Sequence, residues 1–248
     1  MNNWRIIPLQ EFDGFTNMAI DEVLSTSIAN GGPPTIRFYS WKPSAVSIGY
    51  FQAINDEVNL DGCKSNLVDV VRRRTGGGAV YHDQFGEITY SVIGKQELFP
   101  CDIIASYKLI CSWIIDSLGL LDIPAEFKPI NDIITNGKKI SGNAQTRRNG
   151  VLLQHGTILH SVDVDKMFSL LKVSDEKIKD KIIANVKERV TSVVQQKEIS
   201  RGALYQALLD GFTKDKDYIT NQLSDSELST AKELAISRYA TKEWNFMR

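Results

Sequence analysis

Asp132-Ile-Ile-Thr-Asn-Gly-Lys-Lys-Ile-Ser-Gly-Asn-Ala-Gln-Thr-Arg-Arg-Asn-Gly-Val-Leu-Leu-Gln-His-Gly-Thr-Ile-Leu-His160 decides how this chain folds. Asn136-Gly137 is the dipeptide of a type I′ hairpin turn, in which both central residues take φ > 0. Asp132 to Thr135 leads into that turn and Lys138 to Gln145 returns from it. Asn149-Gly150 marks a second tight turn, and Val151 to His160 is the next strand. Alternation puts Val151, Leu153, His155, Thr157 and Leu159 on one face of that strand and Leu152, Gln154, Gly156, Ile158 and His160 on the other.

Upstream, Leu67 to Val71 is an apolar, β-branched run that reads as a strand. It feeds Arg72-Arg73-Arg74-Thr75-Gly76-Gly77-Gly78, and an apolar-polar beat resumes at Ile88, Tyr90 and Val92. Three glycines let backbone approach a ligand closely, and their N–H groups can line an anion-binding concavity. The arginines add guanidinium forks suited to phosphate or carboxylate. By alternation, either Arg73 or the pair Arg72 and Arg74 points at the ligand. The competing reading is a flexible glycine turn beside a solvated basic cluster. The loop is neither a P-loop nor a dinucleotide fingerprint, because neither spacing is present.

Outward from these segments, Trp4 to Leu9, Thr35 to Tyr39 and Ala45 to Tyr50 read as strands. Helices are expected over Thr16 to Ser27, roughly Asn55 to Ser65, Asp102 to Leu118, Asp165 to Leu171, Ser174 to Glu188 with Ser174 as N-cap, and Glu198 to Phe212. Ser224-Asp225-Ser226-Glu227 is a capping box that opens a helix to about Tyr239. Strands fill the first two-thirds and helices the last third, which predicts an α+β fold around one central, largely antiparallel sheet.

The 248 residues are 42% hydrophobic, enough for a full core, and the formal net charge of −1 argues against a nucleic-acid-binding footprint. Cys63, Cys101 and Cys111 have no metal-ligand or disulfide spacing. Cys111 lies on an apolar helical stripe and reads as core. No signal-peptide pattern opens the chain and no stretch reaches the ~18 apolar residues of a membrane span, so a cytoplasmic protein without membrane partners is the expectation.

For chemistry, Lys138 and Lys139 straddle the two sheet faces after the hairpin turn, so one can enter a cleft and supply charge to an acyl-phosphate centre. Asp132, beside Asn131, could hold Mg²⁺ on a phosphate. His155 is either a ligand contact or a satisfied core histidine. His82 beside Asp83 is either a base or part of a capping pair. A phosphate-cradling loop with a lysine and a carboxylate on a neighbouring hairpin suits nucleotide-dependent activation of a carboxylic acid.

Three stretches carry a resemblance: Arg72 to Asp83, Asn131 to Gln145 and Leu153 to Leu159 resemble the motifs of lipoate-protein ligases, in the same order and spacing. The superfamily also holds biotin ligases and octanoyltransferases. The resemblance implies one catalytic domain over residues 1–248, with the C-terminal accessory domain of full-length ligases absent and supplied by a separate subunit. It implies ATP, Mg²⁺ and lipoate as ligands, a lipoyl-AMP intermediate, and transfer to a lysine of lipoyl domains on 2-oxoacid dehydrogenase E2 subunits or of the glycine-cleavage H protein.

Carried over residue by residue, Lys139 contacts the adenylate phosphate and acyl carbonyl. Arg73 binds carboxylate or phosphate. Thr75, Gly76, Gly77, Gly78, Ala79 and Val80 wrap the intermediate, and Tyr81 and His82 border the nucleotide. Asn131 and Asp132 form the phosphate and magnesium side. Ser141, Gly142 and Ala144 line the pocket, with His155 beside the adenylate or acyl chain. Arg37 and Gly49 help form the acyl side, and Arg147 and Arg148 are candidates for a basic acceptor rim. Two departures stand out: Pro129-Ile130 replaces the Gly-Arg that precedes Asn-Asp in many bacterial ligases, and Gly86-Glu87 replaces their Gly-Asn. The rival within the superfamily is an octanoyl- or lipoyltransferase working through a cysteine thioester. Its cysteine would precede the lysine hairpin, where Ala125 to Asp132 has none, and that favours the ligase. A third reading is a non-catalytic acyl-adenylate or carrier-binding subunit.

Overall fold

Both Asn-Gly pairs turn the chain through the left-handed region: Asn136 and Gly137 have φ of 49° and 73°, and Asn149 and Gly150 have 51° and 74°. The computed structural model describes residues 3–172 and 179–248. Its strands are β1 (Trp4–Phe12), β2 (Thr35–Trp41), β3 (Ala45–Ile48), β4 (Asp69–Arg72), β5 (Val80–His82), β6 (Glu87–Lys95), β7 (Glu126–Lys128), β8 (Asp132–Thr135), β9 (Lys138–Arg148), β10 (Val151–Leu159) and β11 (Tyr218–Thr220). Its helices are α1 (Gly14–Ala29), α2 (Ile54–Glu57), α3 (Leu60–Ser65), α4 (Ile103–Gly119), α5 (Val164–Leu170), α6 (Lys179–Arg189), α7 (Val193–Gln196), α8 (Arg201–Thr213), α9 (Asp225–Leu234) and α10 (Lys242–Asn245).

The large sheet runs β11-β1-β2-β6-β10-β9-β8-β7. It is antiparallel from β2 onward, while β1 pairs in parallel with both β2 and β11. This is the expected α+β architecture. A second sheet, β4-β3-β5, was not anticipated. One face of the large sheet, with Phe38, Tyr90, Val92 and Leu152, packs on α4 and α8 through Ile114, Leu118, Leu208 and Phe212. The other, with Tyr39, Trp41, Ile93 and Leu153, packs on α1 and α9. Burial on both faces stabilises the sheet in proportion to the apolar area removed from water.

Several boundaries moved. Leu67 is exposed at φ 54°, so the strand expected from Leu67 starts at Asp69. The polar helix over Asn55 to Ser65 breaks into α2 and α3, with Asn59 capping the second through Gly62 N at 3.1 Å. The capping box at Ser224 and Glu227 is present and α9 continues as a π turn to Tyr239. The proposed N-cap at Ser174 lies outside the described residues. Among the described residues no helix is long and apolar enough to cross a membrane.

Gly211 sets the approach of α8 to α4: a Cβ there would fall on Ser117 Oγ and stand 2.7 Å from Trp113 O. Gly211→Ala is therefore expected to destabilise the fold by about 1–3 kcal/mol through overpacking. At Gly202, on the same helix, the nearest atom to an added Cβ is 3.9 Å away. Gly202→Ala should be neutral or stabilising by up to about 1 kcal/mol. Paired urea denaturation curves check both.

Candidate active site

The polar residues of β6 do not face water. Glu87, Thr89 and Ser91 are buried on the same face as His155 and Thr157 of β10, to which the register Thr157↔Thr89 and His155↔Ser91 brings them. That face turns toward α1 and the small sheet, and a cavity of about 340 Å³ lies there. Met18, Trp41, Val80, Leu159, Val162 and Met167 give it apolar walls. Lys139, Asn131, His82, Glu87 and His155 bring the polar groups. A small cavity with apolar walls and a few convergent polar atoms is the usual form of a small-molecule site.

Lys139 reaches the cavity because β9 carries a bulge. Ile133 pairs with Ser141 but Ile134 pairs with Lys139, leaving one extra residue on β9. A bulge shifts side-chain parity. Lys139 thus shares the face of Gly142 and Ala144, while Ile140 enters the core of the opposite face. Its Nζ lies 2.6 Å from Asp132 Oδ1. Asp132, expected to hold magnesium, is thus paired with the lysine, and the donor set is a lysine–carboxylate pair rather than a cation cage. Among the described residues no group of three or more His, Cys, Asp or Glu side chains could hold a metal.

The lysine lies over Gly142: a Cβ there would stand 2.8 Å from its Cε and 2.9 Å from Nζ. Those atoms are the flexible end of a side chain, so Gly142→Ala should keep the fold while pushing Nζ off Asp132. A displacement of that size at a reacting centre costs about 10–100-fold in rate. The expected result is such a loss of acyl transfer, measured by acceptor mass, with an unchanged urea midpoint.

The arginines differ from the expectation of free anion forks. Arg72 is fully buried and donates to the carbonyls of Gly49, Tyr50, Gln52, Trp244 and Asn245. Arg73 donates to the carbonyls of Ser47, Gly76 and Gly78 and to the hydroxyls of Ser47 and Thr75. Burial pulls its guanidinium down to about 10, still cationic at neutral pH. Arg74 pairs with Glu22 at 2.9 Å. The loop keeps its shape because the carbonyls of Gly76 and Gly78 take their donors from Arg73, while Arg72 ties the segment after β3 to α10.

Two histidines continue the network. His82 Nδ1 is 2.7 Å from Glu87 Oε1 and its Nε2 is 2.8 Å from Ser47 Oγ. Its ring stacks on Trp41 at 4.0 Å between centroids. His155 Nδ1 is 3.2 Å from Asp21 Oδ2 and its Nε2 is 2.7 Å from Thr75 Oγ1. Burial pulls the His155 imidazole below its usual range, against the opposing pull of Asp21. With each carboxylate accepting from Nδ1–H, each Nε2 accepts from a hydroxyl. Asp83, the neighbour of His82, caps a turn through Phe85 N and Gly86 N at 2.9 and 2.8 Å.

Of the residues expected at the site, Arg73, Gly77, Gly78, Ala79, Val80, Tyr81, His82, Asn131, Lys139, Gly142, Ala144 and His155 line the cavity. Arg37, Gly49, Thr75, Gly76, Asp132 and Ser141 do not. Arg37 is fully buried behind the site, 3.0 Å from Asp21, so it holds α1 to the sheet rather than forming an acyl wall. Gly49 is a packing glycine, since a Cβ would fall on Gly77 O. Ser141 is buried on the other face of β9. Arg147 donates to the carbonyls of Pro100 and Cys101, and the Arg148 guanidinium lies 4.6 Å from the Tyr50 ring centre. Sequence reading missed Ser47, Asp21 and Glu87. Asp21 had a signal, as a carboxylate on the apolar arc between Met18 and Leu24.

None of the cysteines lines the cavity. Burial pushes the Cys63 thiol up to about 11 and the Cys111 thiol up to about 12, both too high for a ready thiolate.

Comparison with known proteins adds an independent line. The profile of the lipoyl protein ligase A/B catalytic domain matches residues 13–213. The chain is 35% identical to octanoyltransferase LipM of Brevibacillus brevis and 34% identical to octanoyltransferase LipM of Halalkalibacterium halodurans, covering all of this chain and all of each relative. In three dimensions it is similar to a bi-partite lipoate protein ligase from Thermoplasma acidophilum, with a TM-score of 0.90 and 34% identity over 99% of this chain and 96% of that one. The full-length relatives correct the expectation of an ATP-dependent lipoate ligase: by sequence the chain groups with enzymes that transfer an octanoyl group. The three motifs do not separate the two chemistries, because in either one a lysine amine attacks an activated acyl carbonyl. The absent thiol before the hairpin, taken as evidence for the ligase, excludes only one route to transfer.

Proposed function

The chain belongs to the lipoyl protein ligase A/B catalytic-domain family, and from that membership we propose that it is an acyltransferase. It moves an octanoyl or lipoyl group from a carrier-bound or otherwise pre-activated donor to the ε-amine of a lysine on a lipoyl domain. The observation that carries this reading is Lys139 Nζ, aimed into an apolar cavity by a β-bulge and held there by Asp132 over Gly142. The apolar walls take the hydrocarbon chain. The ammonium lies where negative charge develops on the carbonyl oxygen as the tetrahedral intermediate forms, and preorganised charge at that point lowers the barrier. Lipoyl domains of 2-oxoacid dehydrogenase E2 subunits and the glycine-cleavage H protein are the acceptors to try. With a pre-activated donor, the separate accessory subunit expected for adenylation has no step to perform.

The test is purified protein with an octanoyl thioester of a carrier protein and an unmodified lipoyl domain, with intact mass read on the acceptor. Addition of one octanoyl group supports the reading. An octanoyl-adenylate donor in a parallel arm distinguishes carrier specificity from general use of an activated acyl group. No transfer from either donor overturns the proposal.

A further inference from the structure

Resting on the acyltransferase reading, we propose that Ser47 is its nucleophile, activated by His82 and Glu87, so that transfer runs through an acyl-serine ester in place of a cysteine thioester. Ser47 Oγ, His82 Nε2 and Nδ1, and Glu87 Oε1 form an unbroken chain with steps of 2.8 and 2.7 Å. All three residues line the cavity that holds Lys139. This is the hydroxyl–imidazole–carboxylate arrangement recognised by geometry rather than by sequence order.

The surroundings fix its direction. Glu87 Oε1 also accepts from Thr89 Oγ1 at 2.8 Å, and Thr89 Oγ1 accepts from Trp41 Nε1 at 2.9 Å. The carboxylate is therefore held by Thr89, itself fixed by Trp41, while it accepts from His82 Nδ1. The Trp41 ring, 15° from parallel, restrains the imidazole. Nε2 is left to accept the Ser47 proton. Ser47 Oγ in turn accepts from Arg73 Nη1 at 3.1 Å, which places a buried cation against the oxygen as it gains negative charge. Ser47 reaches His82 as a diagonal neighbour on the small sheet, since Ser47 pairs with Val80 and Ala45 pairs with His82. The second hydroxyl–histidine pair, Thr75 with His155, differs in that Thr75 lies off the cavity that Ser47 lines.

The step balances without an added reactant. Ser47 Oγ forms a bond to the thioester carbonyl carbon as its proton passes to His82 Nε2. The C–S bond breaks and the thiol leaves with that proton. The neutral amine of the acceptor lysine then attacks the ester carbon, a C–N bond forms, the C–O bond to Ser47 breaks, and His82 carries an amine proton back to Oγ. Lys139 stabilises the carbonyl oxygen in both halves.

The experiment incubates the protein with octanoyl thioester and no acceptor, maps any adduct by peptide mass, then adds lipoyl domain. One octanoyl group on the peptide containing Ser47, discharged on adding acceptor, is expected. Ser47→Ala should lose more than about a thousandfold in thioester-driven transfer, and His82→Gln about a hundredfold or more. Ser47→Cys should keep the adduct, now as a thioester cleaved by neutral hydroxylamine, a response that a purely structural role for Ser47 would not give. Wild-type transfer with no adduct on that peptide, or a Ser47→Ala variant within threefold of wild type, overturns the inference while leaving the acyltransferase reading in place. No transfer by the wild type from thioester or adenylate overturns that reading and this inference with it.

Discussion

Lys139→Ala is expected to cut octanoyl transfer by about 10²–10³-fold, the usual loss when one oxyanion-stabilising group is removed. The loss should fall on the chemical step, because the ammonium acts on charge that develops only in the transition state, while the apolar walls that bind the chain stay intact. Stability should barely change. The Lys139 and Asp132 side chains are 40% and 32% exposed, and a pair this exposed contributes about 0–1 kcal/mol. Lys139→Arg should not restore the rate. The space beside Gly142 fits a compact ammonium on a thin stem, and a planar fork spreads the charge away from the carbonyl. Single-turnover rates with saturating donor, set beside urea midpoints, check both halves. A Lys139→Ala variant with near-normal turnover would remove the lysine from the chemistry.

The parts of this fold that were legible in the sequence are those where one residue type satisfies a backbone demand. Asn-Gly fits two consecutive positive φ values, so both hairpins and the alternation of β10 could be read directly. The capping box at Ser224 is similar, since its side chains close their own backbone bonds. What could not be read depends on partners distant in sequence. The bulge that turns Lys139 to the site face exists only in the pairing of β9 with β8. Alternation correctly separated Arg73 from its neighbours, yet a guanidinium suited to an anion is equally suited to carbonyls, and the glycine loop offers only carbonyls. Ser47 sits in the apolar strand Ala45-Val46-Ser47-Ile48 and shows nothing until β5 brings His82 beside it.

Arg72→Met is expected to destabilise the protein by about 3–5 kcal/mol, because five backbone carbonyls lose a charged donor at once. Nη1 donates to the carbonyls of Gly49, Tyr50 and Gln52 at 3.0, 3.0 and 2.7 Å, Nη2 to Asn245 O at 2.7 Å, and Nε to Trp244 O at 3.1 Å. The backbone adds Arg72 N to Asn245 Oδ1 at 2.7 Å and Trp244 Nε1 to Arg72 O at 2.9 Å. One side chain therefore joins the end of β3, the start of the glycine loop and α10. Methionine fills much of the volume but donates nothing, and carbonyls left buried without donors each carry a desolvation cost of about 1–3 kcal/mol. Some will reach water, which keeps the total below their sum. Arg74→Met is the control: its pair with Glu22 is partly exposed, and Glu22 keeps Arg238 at 2.6 Å, so the expected loss is under about 1 kcal/mol. The readouts are the urea midpoint and tryptophan emission. Arg72→Met should red-shift emission in the native baseline as Trp244 loses its packing against Tyr239 and Tyr50. Equal midpoints for the two variants would show that α10 is held by its apolar contacts, with Arg72 contributing shape rather than stability.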